Sequence, residues 1–492
     1  KILRYEEGES QDVLFIKVSS GTNFADSALD ISDSSSVSII DGLTDGDRSE
    51  QGTVHVVTRN VDELYATTEN IVSPVFAQGE LFGQSVAISG DGEWVAVGAP
   101  GGPNDSTFSN RGSVYVYRKI VDSSTVSTTR YVYQQTLAPG DDSEQKDDSG
   151  NQGMQFGDNV VISNDGNTIV VGAKLYDDSS ITDSGRIFVY RKLNDSFKKI
   201  EEFGPDIATD ETRFGESVVI SDDGTDLLVG SPREKNTLEE QGVVYHYLNS
   251  SSSHVGDGST TAFTPTFTVD KYTKLYVSVD TVQFKFDDSS TTSTYHINAS
   301  TNVVTLASTP ALGAKIVIQQ YKKQSRILSN PIEQGARFGE SMALADNMLA
   351  VYSASGMTTR NTTFDKFRLD SSSNIASETT FDNKGTSFST QIQDTGNVQI
   401  FQKYGDTWIH NEVLKNTTGA VDDSFGKSIA MSSQNVYVGA PGREVSAGDS
   451  STRVDAGEVY VYNKTSDVSY WNVDVTQPDL VNPYLIKKTF LY

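Results

Sequence analysis

The sequence contains no cysteine, so no disulfide can brace it and its stability has to come from packing. Proline is scarce, at 12 of 492 residues, and there are only 5 methionines and 3 tryptophans. No run approaches the ~20 apolar residues of a membrane-spanning helix, and no signal peptide opens the chain, so no membrane insertion is expected. Basic residues are outnumbered, 39 Lys and Arg against 66 Asp and Glu, for a net charge of -27. Phosphate binding needs a basic surface, so nucleic acid is excluded as a partner. The acidity fits a particle-surface or extracellular protein. Hydrophobic residues make up 36%, which is low for a compact core. Abundant Ser, Thr, Asp and Gly suit strands with polar turns rather than helices. The first residue is Lys1 and not Met, which points to processing, trimming or a longer parent.

One phrase is present again and again. "FGQSVAISGDGEWVAVGAP" runs from Phe82 to Pro100, "QFGDNVVISNDGNTIVVGAK" starts at Gln155 and "RFGESVVISDDGTDLLVGSP" at Arg213. "RFGESMALADNMLAVYSAS" starts at Arg337, "SFGKSIAMSSQNVYVGAPG" at Ser424, and a weaker copy with Ala25 in the glycine slot at Asn23. Phe24, Phe82, Phe156, Phe214, Phe338 and Phe425 anchor them. Each copy is followed by a glycine and an alternating strand, as in "GSVYVYRK" at Gly112, "GRIFVYRK" at Gly185 and "GEVYVYNK" at Gly457. A further strand-like segment usually comes next, such as "YVYQQTLAPG".

Four period-2 strands in units of about sixty residues describe one sheet used repeatedly. Such a sheet cannot bury both faces alone. Radial packing of copies buries them and leaves short protected edges, which predicts an all-β, six- or seven-bladed β-propeller of four-stranded blades. Asp91-Gly92, Asp165-Gly166 and Asp223-Gly224 suit two-residue type I′ hairpin turns. Gly98-Ala99-Pro100 suits a crowded position where a side chain would obstruct a neighbour.

The phrase resembles the FG-GAP repeat of integrin α-subunit propellers and of many microbial and viral surface proteins, over residues 23 to 465. The resemblance implies a propeller used for binding or assembly, often with calcium in its hairpin loops. Here the loop is short, "SGDGE", "SNDGN" or "SDDGT", and one or two carboxylates cannot wrap an ion that wants six to eight oxygens. No cofactor is therefore expected, and turn formation is the reading of these aspartates.

Two spacings break the period. Between Phe214 and Phe338 lie about 66 extra residues, and about 28 more lie near 356–395. The first insertion has strands of its own, including "KLYVSVDTVQFKF" and "AKIVIQQY". It resembles small β-modules of phage tail-fibre and virion structural proteins. The expected organisation is 1–249 for the first propeller part, 250–325 for the inserted β-module and 326–492 for the second part.

Catalytic chemistry is hard to find. His55, His246 and His410 fall in expected blade strands, His296 in the module and His254 in a serine-rich loop. None shows HExxH spacing, and no GxSxG turn is near. "FGKS" at Phe425 lacks a glycine at the phosphate-loop distance and is a strand start. Acidic clusters at Asp41, Asp45, Asp47 and Glu50, at Asp177, Asp178 and Asp183, and in "GDDSEQKDDSG" read as solvated loops. Aromatic strands such as "VYVYRK" read as packing between blades rather than sugar-stacking surfaces. Sequons stand at Asn298, Asn361 and Asn416.

These features lead to the expectation of a non-enzymatic structural or adhesive protein of a virion, in a tail, neck or fibre. Its partners would be other virion subunits or a host-surface receptor or glycan. A cell-surface adhesin and a propeller hydrolase or lyase are the alternatives. The strand-like runs at both ends are expected to meet, completing a sixth blade or building a seventh.

Overall fold

Every regular element among the described residues of the computed structural model is a strand. The structure describes most of residues 52–464 together with strands at 29–31, 37–42 and 484–491. Its longest gaps are residues 1–28, 140–152, 360–390 and 465–483. The first sheet takes Leu29–Ile31, Val37–Gly42, Thr53–Arg59 and Tyr65–Ile71. The second takes Ser85–Ile88, Trp94–Ala99, Ser113–Asp122 and Thr128–Leu137. The third takes Asn159–Ile162, Thr168–Ala173, Arg186–Leu193 and Ser196–Phe203. Each is an antiparallel meander with its strands in chain order.

The fourth sheet starts the same way, with Ser217–Ile220, Asp226–Ser231 and Val243–Val255, but its outer strand is Lys315–Ile327. The fifth uses Met342–Ala345, Met348–Ser353, Asn397–Tyr404 and Thr407–Lys415. The sixth uses Ser428–Met431, Asn435–Ala440, Glu458–Lys464 and Tyr484–Leu491. The C-terminal run thus forms the outer strand of the sixth sheet. The N-terminal run, and with it the expected meeting of the two ends, lies outside the described residues. These are four-stranded blades of the β-propeller type.

The chain divides into two compact units, residues 1–235 with 243–327, and residues 236–242 with 328–492. In the first unit, alternation along one strand serves two neighbours at once. Val95, Val97 and Ala99 join a buried cluster with Val54, Val56 and Ile71 of the first sheet. Trp94 and Ala96, pointing the other way, join Phe156, Val160 and Phe188 of the third. A period-2 strand buried on both faces needs a sheet on either side, which is what the stack provides. In the second unit the fifth and sixth sheets share one cluster, with Val398, Ile400 and Leu414 against Phe425, Val436 and Tyr460.

The Phe-Gly phrase and the glycine about thirty residues later are two halves of a joint between consecutive blades. Phe156 N–H donates to Arg111 O at 3.0 Å, and Gly157 N–H donates to Gly172 O of its own sheet at 3.0 Å. Gly112 lies against Phe156 with φ +87°, and a Cβ there would stand 2.0 Å from Phe156 O. Gly185 meets Phe214 in the same way, and Gly396 meets Phe425 within the second unit. Gly98 is crowded as its position suggested, since a Cβ would come within 2.0 Å of Gly157 O.

Two local features differ from expectation. The Asp-Gly hairpins are four-residue turns and not two-residue type I′ turns. Gly92 N–H donates to Ser89 O at 2.7 Å, and of the pair only the glycine has positive φ, whereas type I′ requires it at both positions. The stretch around His254 is not a loop, because Val243–Val255 continues as one 13-residue strand through the serines. All six sheets also carry a β-bulge between the third and outer strands, for example at Val116/Tyr117 and Ile400/Phe401. Each bulge shifts the register and bends the outer strand.

The long strands 243–255 and 315–327 pair along their length and carry the inserted module. Tyr276–Val279 adds to the returning strand, followed by Val282–Phe286, Thr294–Asn298, Val303–Leu306 and Ala262–Phe263 in one nine-stranded sheet. Phe263, Val277, Phe284, Tyr295, Val304 and Ile316 form a separate core. Replacing residues 256–314 by a short turn is therefore expected to leave the cooperative unfolding of the blades intact, because closing a loop costs only logarithmically in length. Loss of that transition in a urea melt would show that the module holds the blades together.

Candidate functional site

The aspartates of the three hairpin turns are engaged by their own turns. Asp91 Oδ1 accepts from Ser89 Oγ at 2.6 Å and from Glu93 N–H at 2.9 Å, while Ser89 Oγ accepts from Trp94 N–H at 2.9 Å. Asp165 and Asp223 repeat this with Ser163 and Ser221, at 2.5 and 2.7 Å. The serine two positions before each aspartate was the signal for this role, and sequence reading passed over it. Among the described residues no three acidic or histidine side chains gather as a metal site. Chelator is accordingly expected to leave the melting temperature almost unchanged, since only an ion bound by the folded state would raise it. A fall of several degrees would return the aspartates to the ligand role.

Of the acidic clusters, Asp177, Asp178 and Asp183 are interlocked with backbone and arginine. Asp177 Oδ1 accepts from Asp183 N–H at 2.8 Å, and Asp178 pairs with Arg186 at 3.3 Å. Burial, with Asp177 beside it, pushes the Asp183 carboxyl above its ordinary value. "GDDSEQKDDSG" lies outside the described residues, as do the side chains of Asp41, Asp45, Asp47 and Glu50. "FGKS" is a blade start, with Phe425 fully buried, Gly426 N–H on Gly439 O at 2.9 Å and Lys427 paired with Glu340.

The histidines do not converge. His55 bonds Asn70 at 2.8 Å, His246 is buried against Asp226 at 2.6 Å, and His254 sits beside Ser252 at 3.0 Å. Burial lowers the pKa of both His254 and His410. The sequon at Asn416 is buried, with Nδ2 donating to Tyr460 Oη at 2.7 Å, so the folded chain presents no acceptor there. Asn298 is exposed, and Asn361 is outside the described residues.

Sequence reading missed a set of buried tyrosine–carboxylate pairs. The third residue after the strand glycine is Tyr115, Tyr245 or Tyr460, and its hydroxyl donates to Glu80 at 2.5 Å, Glu234 at 2.8 Å or Glu458 at 2.5 Å. Burial and the adjacent carboxylate push these phenols well above the ordinary tyrosine value. Arg326 closes the Glu234 group at 2.5 Å. Burial raises the Glu234 pKa, and Tyr245 and Arg326 oppose that rise. Tyr115 and Tyr117 of "VYVYRK" are 1% and 4% exposed and pack on Phe82 at 5.8 and 6.4 Å, so their rings are committed to packing.

Among the described residues, the most exposed apolar side chains lie at the far end of the module. Beyond Leu248, the last residue paired with the second strand, seven residues carry the hairpin on by about 23 Å. At that end Gly313 N–H donates to Gly256 O and Gly256 N–H to Ala314 O, each at 2.8 Å. Lys315 N–H donates to Asp280 Oδ1 at 2.7 Å. Two apolar side chains stand out from this hydrogen-bonded frame: Leu312 is 81% exposed and Val255 71%. Asp257 beside them takes the amides of Ser259 and Thr260, at 2.8 and 2.6 Å. Those bonds, with the Thr260 hydroxyl, hold its carboxyl well below the usual range.

Residues 67–117, which span the second blade's phrase, match the family model described as the FG-GAP repeat. No curated protein matches the sequence. Among solved structures, Sqt1 of Chaetomium thermophilum aligns over 89% of this chain and 82% of its own, with 10% identity and a TM-score of 0.38. The Cps50 (Swd1) β-propeller domain of Myceliophteria thermophila covers 85% of this chain and 94% of its own, at 8% identity and TM-score 0.33. The β-propeller domain of the Trilobed protease from Pyrococcus furiosus covers 91% and 92%, at 9% identity and TM-score 0.34.

Proposed function

We propose that this chain is a non-enzymatic structural or adhesive component of a virion, in a phage tail, neck or fibre. Its blades serve as a rigid support, and the module is the part presented to a neighbouring subunit or to a host-surface receptor or glycan. The observation behind this reading is the module's raised end, where Leu312 and Val255 are exposed on a hydrogen-bonded frame. Exposed apolar side chains held at a projecting end suit an interaction surface. The blades' buried polar groups, by contrast, are used to hold turns and strands. Function on a rigid scaffold is carried by its projecting segments.

Immunogold labelling of purified particles tests the assignment. Label on tail, neck or fibre supports it, whereas label confined to cell envelopes would establish the cellular adhesin instead. The double substitution Val255→Asp with Leu312→Asp tests the surface. It should leave unfolding unchanged and reduce incorporation or attachment by about tenfold or more, as loss of a central interface anchor does.

A further inference from the structure

Above the fourth blade, the long hairpin leaves one of its edges open. The strand Val243–Val255 pairs with Lys315–Ile327 from Val244 to Val255, but with Asp226–Ser231 only as far as Leu248. The last bond on that second side runs from Asn249 N–H to Thr225 O, at 2.7 Å. Towards the returning strand, Gly256 N–H reaches Ala314 O at 2.8 Å. Main-chain groups of an antiparallel strand point to alternate sides, so these two bonds fix the phase between them. Ser250, Ser252 and His254 bond towards Gln320, Ile318 and Ile316. Ser251, Ser253 and Val255 point their N–H and C=O outward. Among the described residues no main-chain bond reaches those outward groups, and all three residues are exposed.

This edge also lacks what keeps sheet edges apart. Folded proteins guard such strands with charges, proline or a bulge. The outer strand of the third sheet carries Lys198, Lys199, Glu201 and Glu202, and its pairing is bulged. Residues 249–255, "NSSSSHV", contain no acidic residue, lysine, arginine or proline. The bulge of this hairpin lies behind them, at His246/Tyr247. In a chain of net charge -27, an uncharged edge is where a second copy meets least repulsion.

We propose that this edge pairs with the same edge of a second copy of the chain, antiparallel about a two-fold axis at Ser253. In that register Ser253 faces its own counterpart, and Ser251 faces the Val255 of the other copy. Each facing pair joins two outward-pointing residues, so each exchanges two main-chain hydrogen bonds. A slip of one residue would set outward groups against inward ones. The small serine side chains leave the approach open, and a Ser–Ser pair adds a hydroxyl contact across the axis. The inference rests on the reading of the module as the part presented to a neighbouring subunit, and names that subunit as another copy of this chain.

Sedimentation equilibrium of the full chain over a concentration series tests this. The wild type should pass from the mass of one chain to that of two as concentration rises. Ser253→Pro should weaken this association about a hundredfold, because it removes both bonds at the axis and each is worth about tenfold. The single chain should still fold, since proline is tolerated on an edge whose N–H faces solvent. If it does not, Ser253→Lys supplies the reading: it keeps the main chain, sets like charges together at the axis and should also hold the chain at single mass. Leu312→Asp changes the tip and leaves the edge intact, so association should persist in it. A wild type of single-chain mass throughout would overturn the pairing, as would undiminished association in a folded Ser253→Pro or in Ser253→Lys. Association lost in Leu312→Asp would overturn it too, by moving the contact to the tip. Particle labelling and the double tip substitution judge the function, whereas association of the purified chain judges this edge alone.

Discussion

Replacing Gly112 by alanine should destabilise the first unit by about 4 kcal/mol or prevent it from folding, the range reserved for severe steric and backbone conflict. Two causes act together at this position. The residue sits at φ +87°, a region that L side chains avoid, and the new Cβ would come 2.0 Å from Phe156 O. The obstacle is main chain, itself tied to Arg111 O, so it cannot swing aside as a flexible side chain could. Gly153 separates the two causes. It has φ +90° with nothing within 4 Å of a Cβ, so Gly153→Ala carries the conformational cost alone, about 1–2 kcal/mol. Urea melts of both variants check the difference. Equal losses at the two positions would show that the blade joint has room to yield.

The second large effect is expected at Arg326. Arg326→Met keeps much of the side chain's bulk but leaves the fully buried Glu234 carboxylate with Tyr245 and without its cation. Removing one partner of a buried ion pair costs about 3–5 kcal/mol. The loss should grow with pH. Burial already raises the Glu234 pKa and Arg326 opposes that rise, so the substitution lifts it further. A carboxyl whose folded pKa is raised contributes most below its unfolded value, and that contribution fades as pH rises through the folded value. The variant should therefore lie nearer the wild type at pH 4.5 than at pH 8. Glu234→Gln in the Arg326→Met background should recover stability at pH 8. A penalty independent of pH would assign the loss to packing of the arginine stem.

A good deal of this architecture was legible in the chain, because strands are local. Alternation such as Val95, Ala96, Val97 marks a strand buried on both faces without reference to anything distant. Recurrence of Phe-Gly and of the later strand glycine marked the repeated unit, and the broken period located the insertion between the third and outer strands of the fourth sheet. The acidic turns were read as turns because two carboxylates cannot surround an ion. For the candidate site, the sequence supplied the module but not its presented end. Leu312 and Val255 look like ordinary strand and turn residues until the hairpin places them at the same tip.

Stacking decided the remainder. Gly112 is required by a phenylalanine backbone 44 positions later, a relation that exists only once two blades lie side by side. Nothing in the sequence sets Glu80, Glu234 and Glu458 apart from the other charges of an acidic chain, yet the fold buries them on tyrosine hydroxyls. Hydrophobic alternation is written residue by residue and survives without tertiary context. The partner of a buried polar group is set by which sheet packs opposite it, so only the folded chain could name it.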